Sequence, residues 1–160
     1  MRRMPFPHAG AAGTVSPPKG ETAMPLVRID LPAATSPTEV AAISRTVHQS
    51  MVEVFNVPQD DMFQVVARRP PGEIVCTPQF LGVQHSDRVL FVQIFCAPGR
   101  TVGVKEALYE RIAHGIAAQA SFAAADVIIN LVETLRENWS FGNGLAQYAL
   151  QDRARPQARA

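Results

Sequence analysis

The chain has 160 residues, of which 47% are hydrophobic and 18% are charged, enough for one globular domain with a buried core. The formal net charge is +1, and the three basic residues and one acidic residue in each of the segments 1–23 and 151–160 leave the middle of the chain at −3. The basic residues are therefore concentrated in the flanks, which argues against nucleic acid as a partner. No apolar run approaches the ~20 residues of a membrane helix. Near the start of the chain, prolines and glycines interrupt any apolar stretch that could belong to a signal peptide. The simplest prediction is therefore a cytoplasmic protein without membrane contact.

The two ends of the chain have the composition of segments outside the fold. Residues 1–23 contain four prolines and three glycines without hydrophobic periodicity, which predicts a disordered extension or a misassigned start. Residues 151–160 are a polar tail. The domain is therefore predicted to span residues 24–150.

The first structural unit is predicted to run from strand to helix to strand. A strand-like stretch covers Pro25 to Leu31, and Ser36-Pro37-Thr38-Glu39 then provides an N-cap, a proline at the first helical position and a capping-box glutamate. The helix ends near residues 56–58, and a second strand covers Phe63 to Ala67. The helix has an apolar stripe with spacings of three and four residues, formed by Val40, Ile43, Val47, Met51 and Val54.

The second half repeats this plan at an offset of about 65 residues. Val89 to Phe95 is a predicted strand, a helix follows from Thr101, and Asp126 to Val132 is the closing strand. Between the repeats, residues 69–87 form a loop with at most short strands, and Asn138 to Tyr148 is predicted to form a C-terminal hairpin. The fold class is therefore α/β (α+β), with tandem βαβ repeats, a four-stranded mostly parallel sheet and two helices on one face.

The other face of this sheet also needs a cover. Apolar residues point to both faces of the predicted sheet, and another subunit is the natural cover. These residues are Val65, Val66, Ile128, Ile129 and Leu131.

The methionine-proline pair at the start of the first strand is the main candidate for chemistry. If the chain starts at Met24, or if processing exposes Pro25, the proline nitrogen is a free amine with an unperturbed pKa of roughly 7.7–8.0, close to the optimum for a general base. Otherwise Met24 is an ordinary internal residue, and Pro25 marks a strand edge where a missing N–H is harmless.

Three segments carry a resemblance to a known family. Residues 24–31 resemble the opening strand of the tautomerase superfamily, residues 55–64 resemble the segment after its first helix, and Asn138-Trp139-Ser140-Phe141-Gly142 resembles a malonate semialdehyde decarboxylase-type C-terminal hairpin. The resemblance extends from Met24 to about Tyr148. It implies a tautomerase-type fold, a homotrimer and an N-terminal proline in each active site.

The resemblance also suggests roles for individual residues. Pro25 is the expected general base or acid, and Asp61, 36 residues later, resembles the decarboxylase-type acidic residue, although it is equally well explained as a turn cap. Arg100 is the expected carboxylate-binding group at the start of the second helix, and Trp139 and Phe141 resemble the apolar wall of the pocket. The decarboxylase pattern has two arginines in the turn where this chain has one.

The expected activity is cofactor-free proton transfer on a small keto or enol carboxylic acid, a keto-enol tautomerase. One alternative is a decarboxylase or hydratase acting on a 3-oxo or unsaturated acid, and another is a non-catalytic trimeric binding protein in which Pro25 stays blocked. Cys76 and Cys96 lack metal or redox spacing and are predicted to be reduced, buried thiols. The four histidines have no metal-binding spacing either, so no metal is expected.

Overall fold

The computed structural model describes residues 25–154. The elements in chain order are β1 (Leu26–Pro32), α1 (Pro37–Phe55), β2 (Phe63–Arg69), β3 (Gln79–Phe80), β4 (Val83–Gln84), β5 (Leu90–Cys96), α2 (Val102–Gln119), β6 (Val127–Glu133) and α3 (Gln147–Ala154). Short 3₁₀ turns at Ala124–Asp126 and Arg136–Asn138 flank β6. The predictions for residues 1–23 lie outside the described residues.

Four strands form one sheet in the order β2-β1-β5-β6. β1 pairs with β2 in parallel, β5 pairs with β6 in parallel, and the two repeats join through an antiparallel pairing of β1 and β5. The mostly parallel sheet built from two βαβ units is thereby confirmed. The loop between the repeats contains only the two-residue strands β3 and β4, as predicted.

Local signals in the sequence set both ends of α1. The Ser36 hydroxyl accepts the Glu39 N–H at 3.2 Å, and the Glu39 carboxylate accepts the Ser36 N–H at 3.0 Å, so the capping box is complete. At the other end, Asn56 adopts a left-handed conformation with φ of 56° and stops the helix. The second helix was predicted to start at Thr101; in the structure Thr101 is its N-cap and α2 begins at Val102.

The core lies between one face of the sheet and both helices. Alternate residues of β1 and β5 point into it, and the stripes of α1 and α2 cover them. The most deeply buried side chains are Val27, Ile29, Leu31, Ile43, Val47, Met51, Leu90, Val92, Ile94, Leu108, Ile112 and Ile116. Two helices on one face of the sheet are thus confirmed.

The opposite face of the sheet, the open face, carries several exposed side chains among residues 25–154. Val66, Ile129 and Leu131 pack against the core, whereas Val65 lies on the other face and is 45% exposed. Asp30 and Arg69 form an ion pair on this open face, with 2.6 Å between Oδ1 and a guanidinium nitrogen. The cover by a second subunit stays a prediction.

The predicted C-terminal hairpin is wrong. Residues 134–154, all of them described, form a 3₁₀ turn, a loop and α3, without a strand. The Gly142-Asn143-Gly144 turn has the left-handed geometry of a hairpin turn, but residues with good helix propensity follow it and continue as a helix. α3 also takes in residues 151–154, which were predicted to belong to the polar tail.

Burial of the two cysteines was predicted correctly for one of them. Cys96 is buried at the end of β5, whereas Cys76 is only half-buried in the loop between the repeats. That loop has few apolar neighbours because it lies outside the helix-covered face, and Cys76 donates a weak hydrogen bond to the nearby carbonyl of Thr77.

Candidate active site

The sheet brings the starts of β1 and β2 and the end of β5 to one edge. Leu26 pairs with Phe63 on one side and with Phe95 on the other. Pro25, directly before Leu26, therefore lies between the segment that precedes β2 and the segment that follows β5. Asp61 is in the first of these segments and Arg100 is in the second.

Pro25 is buried at the start of β1. With Met24 before it, its nitrogen is an amide and has no basic lone pair. If the chain began at Pro25, the same nitrogen would be a secondary amine, and its shielded position would lower its pKa by disfavouring the charged form.

Asp61 lies in the turn between α1 and β2. Its backbone N–H donates to the Pro58 carbonyl at 3.0 Å, which fixes the turn, and the residue is only 7% exposed. Neither carboxyl oxygen has a hydrogen-bond partner among the described residues. Burial raises the pKa of Asp61, and the neighbouring Asp60 raises it further, while His48 opposes both effects.

A buried carboxyl group without partners is unusual, because buried polar atoms are normally hydrogen-bonded. The suggestion that Asp61 merely caps its turn has no support in its side-chain contacts. The free oxygens and the raised pKa instead suit a group that donates to, or accepts from, a bound molecule.

Arg100 follows β5 and is half-buried. Its Nη1 donates to the Ala97 carbonyl at 2.9 Å, and its guanidinium carbon lies 4.1 Å from the centre of the Phe55 ring. Because α1 runs back to the edge where β2 starts, its last residue, Phe55, supports Arg100 at this edge. The stacking and the hydrogen bond hold the guanidinium plane in place.

The charge of Arg100 is not neutralised by an ion pair within the described part of the chain. Glu133, the nearby carboxylate, is bound by Lys105 at 2.6 Å. Burial lowers the pKa of Arg100 from its ordinary value, but an arginine remains cationic at neutral pH. A fixed guanidinium without a carboxylate partner is a ready site for an anion.

Trp139 and Phe141 form an aromatic cluster with residues of other elements. The two rings stack with 5.6 Å between their centres, Phe141 lies 6.0 Å from Phe63 at the start of β2, and Tyr148 of α3 meets Phe141 edge-on at 5.2 Å. β6 ends at the same edge as β5, so the segment after it reaches across to Phe63. The cluster therefore lies beside the end of the sheet where Pro25 is found.

Sequence reasoning missed Phe55, Phe63, Tyr148 and His48 as parts of this region. Phe55 and Phe63 lie in a segment that resembles the tautomerase family, so that segment held a signal. Nothing in the sequence indicates that Tyr148 packs on Phe141.

Within the described residues, no three His, Cys, Asp or Glu side chains form a group suited to a metal ion, and no helix is long and apolar enough to cross a membrane.

Comparisons with known proteins agree with this architecture. Two family models, both described as tautomerase enzyme, match residues 61–142 and residues 25–84. The probable tautomerase YusQ of Bacillus subtilis (strain 168) is 40% identical over 124 residues, which are 78% of this chain and 98% of YusQ. The probable tautomerase YrdN of the same organism is 28% identical over 125 residues, 78% of this chain and 96% of YrdN.

Solved structures extend the match to three dimensions. FG41 malonate semialdehyde decarboxylase, in a crystal structure inhibited by 3-bromopropiolate, is 35% identical with a TM-score of 0.73 over 82% of this chain and 99% of that one. A fused 4-OT wild-type symmetric trimer shares the fold at 18% identity, with a TM-score of 0.63 over 78% of this chain and 98% of the other.

The fold thus defines a protein of two βαβ repeats in which Pro25, Asp61 and Arg100 lie in segments at one edge of the sheet. The chain belongs to the tautomerase family. This membership supports a tautomerase-type, isomerase-class enzyme.

Proposed function

We propose that this protein is a cofactor-free tautomerase that moves a proton on a small keto or enol carboxylic acid and uses Pro25 as its N-terminal general base and acid. The observation that carries the proposal is the sheet register, in which Leu26 pairs with both Phe63 and Phe95. This register supports a site where Pro25, Asp61 and Arg100 act on one molecule.

The binding step uses the unpaired cation. Arg100 receives the substrate carboxylate, because its guanidinium is held by Phe55 and Ala97 and has no carboxylate of its own within the described residues. Trp139 and Phe141 cover the apolar part of the substrate and exclude water, which strengthens the charge interactions in the pocket.

The chemical step is a balanced pair of proton transfers. The Pro25 amine removes a proton from the carbon next to the substrate carbonyl, and the C–H electron pair forms the carbon–carbon double bond of the enol. Asp61, in its protonated form, donates a proton to the carbonyl oxygen. In the reverse direction, the Pro25 ammonium returns its proton to carbon, and Asp61 takes the enol proton.

Decarboxylation or hydration is the second candidate, and it rests on the likeness to malonate semialdehyde decarboxylase. In that reaction a protonated Pro25 polarises a 3-oxo acid or an unsaturated acid. The single arginine in the Ala97-Pro98-Gly99-Arg100 turn favours the tautomerase. Release of carbon dioxide from a 3-oxo acid would favour the decarboxylase.

The assembly that we propose is a homotrimer in which the open face of the sheet is covered by neighbouring copies. The exposed apolar residues on that face and the trimeric 4-OT relative support it. If Pro25 remains an amide in the cell, the same trimer would be a non-catalytic binding protein.

The test compares two forms of the protein, residues 1–160 and a form that begins at Pro25. The probe is the enol of an aryl-substituted 2-oxo acid, whose conversion to the ketone is followed by loss of ultraviolet absorbance. We expect activity in the form that begins at Pro25 and little in the longer form, because only the first has a basic nitrogen. Pro25→Ala in the shorter form should lower kcat/KM about 10²–10⁴-fold, the usual contribution of a positioned general base.

The control is Pro5→Ala in residues 1–160, which changes a proline outside residues 24–150 and should leave the rate of that form unchanged. Equal kcat/KM for the shorter form and its Pro25→Ala variant would refute the proline mechanism.

A further inference from the structure

His48 is a buried histidine of α1 with one used and one unused ring nitrogen. The residue is 5% exposed, and its Nε2 lies 2.9 Å from the backbone carbonyl of Gln59. A carbonyl oxygen only accepts, so Nε2 must carry a hydrogen. Nδ1 is buried without a hydrogen-bond partner among the described residues.

The bond to Gln59 ties α1 to the turn that carries Asp61. Gln59 is two residues before Asp61, and the Asp61 N–H closes the same turn on Pro58. Four buried polar side-chain atoms lack partners in the described chain, and three of them are Nδ1 of His48 and the two carboxyl oxygens of Asp61. Because one turn joins His48 and Asp61, the missing hydrogen bonds of these two side chains belong to a single feature of the structure.

The charges that act on Asp61 come from two directions. Asp60 in the same turn disfavours the ionised carboxylate, and His48 from α1 favours it. Of Asp60 and His48, only His48 opposes the effect of burial on the pKa of Asp61.

We propose that His48 is the positioning residue of Asp61: its Nε2–H holds the turn that carries Asp61, and its ring acts on the charge of the Asp61 carboxyl group. The proposal rests on the proposed function for its catalytic meaning, since Asp61 acts there on the substrate carbonyl. His48 itself need not touch the substrate.

The two parts of this role are separable by substitution. In His48→Gln, the side-chain amide retains an N–H that can reach the Gln59 carbonyl but has no titrating group. His48→Ala loses both the hydrogen bond and the charge. The matched control is His114→Gln, which changes an exposed histidine on α2, outside the site.

The primary measurement is the pH titration of the Asp61 side-chain carbonyl carbon by NMR, in protein with ¹³C-labelled aspartate. Asp61→Asn identifies the resonance. We expect the Asp61 midpoint to rise in His48→Gln by about half a pH unit or more, because a nearby positive charge has been removed. The His114→Gln titration should match that of the wild type.

This measurement does not depend on turnover, so it separates the present proposal from the proline mechanism. If Pro25→Ala retained full activity while His48→Gln raised the Asp61 midpoint, the proposed function would fail and the role of His48 would stand. An unchanged midpoint in His48→Gln, or an equal rise in His114→Gln, would overturn the electrostatic role.

Kinetics then test positioning. His48→Gln should keep KM within about twofold of the wild type and move the pH limb of kcat/KM that belongs to Asp61, whereas His48→Ala should also lower kcat. Wild-type kcat in His48→Ala would overturn the positioning role. If His48→Ala fails to fold, His48→Gln decides the question through its pH profile, and an Asp61 limb at the wild-type position would overturn the role.

Discussion

The two βαβ repeats have the same architecture, but each uses the aspartate before its closing strand differently. Asp126 lies directly before β6 and Asp61 lies two residues before β2, so their places in the two repeats differ by one residue, and both are buried. Asp126 accepts the Ser86 N–H and the Ser86 hydroxyl, each at 2.7 Å, whereas Asp61 has no side-chain partner within residues 25–154.

The difference separates a structural carboxylate from a candidate catalytic one. Asp126 joins the loop before β5 to the turn before β6, and the bond of His85 Nδ1 with the Ala125 carbonyl at 2.7 Å reinforces that junction. At the corresponding place in the first repeat, the turn is held by backbone and by His48, which leaves the Asp61 carboxyl free. Burial alone therefore does not identify a functional carboxylate; unused hydrogen-bonding capacity does.

The largest expected effect comes from the same substitution at both positions. Asp61→Asn should lower kcat/KM about 100-fold or more, since an amide cannot exchange the proton, and should leave the fold intact. Asp126→Asn should keep the activity per folded molecule but lose about 1–3 kcal/mol of unfolding free energy, because the carboxylate bonds to Ser86 are weakened. Steady-state kinetics and urea unfolding of both variants measure the two effects.

Ser86→Ala is the control for the second repeat and should lose less stability than Asp126→Asn, because the Ser86 N–H still donates to Asp126. If Asp126→Asn abolished activity without unfolding, or if Asp61→Asn were fully active, the contrast between the repeats would be wrong.

A smaller effect is expected at the N-terminus of α1. Glu39 accepts from Ser36 and from the N–H of Ser121 at 3.1 Å beyond α2, so it joins the two repeats, and α2 has no acidic residue in its own first turn. These bonds, chiefly those from Ser36, lower the pKa of Glu39 from 4.5 to about 2.

A lowered pKa in the folded state stabilises the protein above the unfolded pKa, and this stability is lost as pH falls from about 4.5 to about 2. Glu39→Gln keeps a capping-box side chain but does not titrate. Relative to this variant, the wild type should lose about 1–2 kcal/mol of unfolding free energy over that interval, allowing for the partial exposure of Glu39. Parallel curves of stability against pH for the two proteins would contradict the prediction.

Much of the fold was predictable because its signals are local. The capping box at Ser36 to Glu39, the apolar stripes and the internal repeat predicted both βαβ units and the mostly parallel sheet. The hairpin after β6 was predicted wrongly because the turn residues and aromatics of Asn138 to Tyr148, together with the family resemblance, favoured strands, whereas the residues after the turn have good helix propensity.

The candidate site was only partly predictable. Pro25 was singled out by the methionine-proline pair, and Asp61 and Arg100 were selected through the family resemblance. The sheet register places their three segments at one edge of the sheet. The role of Phe55 beneath Arg100 and of His48 behind Asp61 could not be inferred, because both residues lie on the same helix as the apolar stripe. These contacts form only when the turn before β2 and the segment after β5 fold back onto α1, so they depend on the tertiary structure and not on the local sequence.

The smallest expected effect tests whether Asp61 carries an energetic cost of the kind that functional sites often retain. The folded pKa of Asp61 is raised above its ordinary value of 3.8, so ionisation of this group opposes folding, and the opposition is absent below pH 3.8 and grows as pH rises through the folded pKa. Asp61→Asn should therefore gain stability relative to the wild type as pH rises from about 3.5 to 7, measured by thermal unfolding across that range.

Asp60→Asn, at the exposed neighbour, is the control and should show a weaker trend, because it removes only the repulsion that Asp60 exerts on Asp61. A stability difference between Asp61→Asn and wild type that stays constant with pH would mean that ionisation of the buried Asp61 carboxyl group does not oppose folding, which would contradict the prediction.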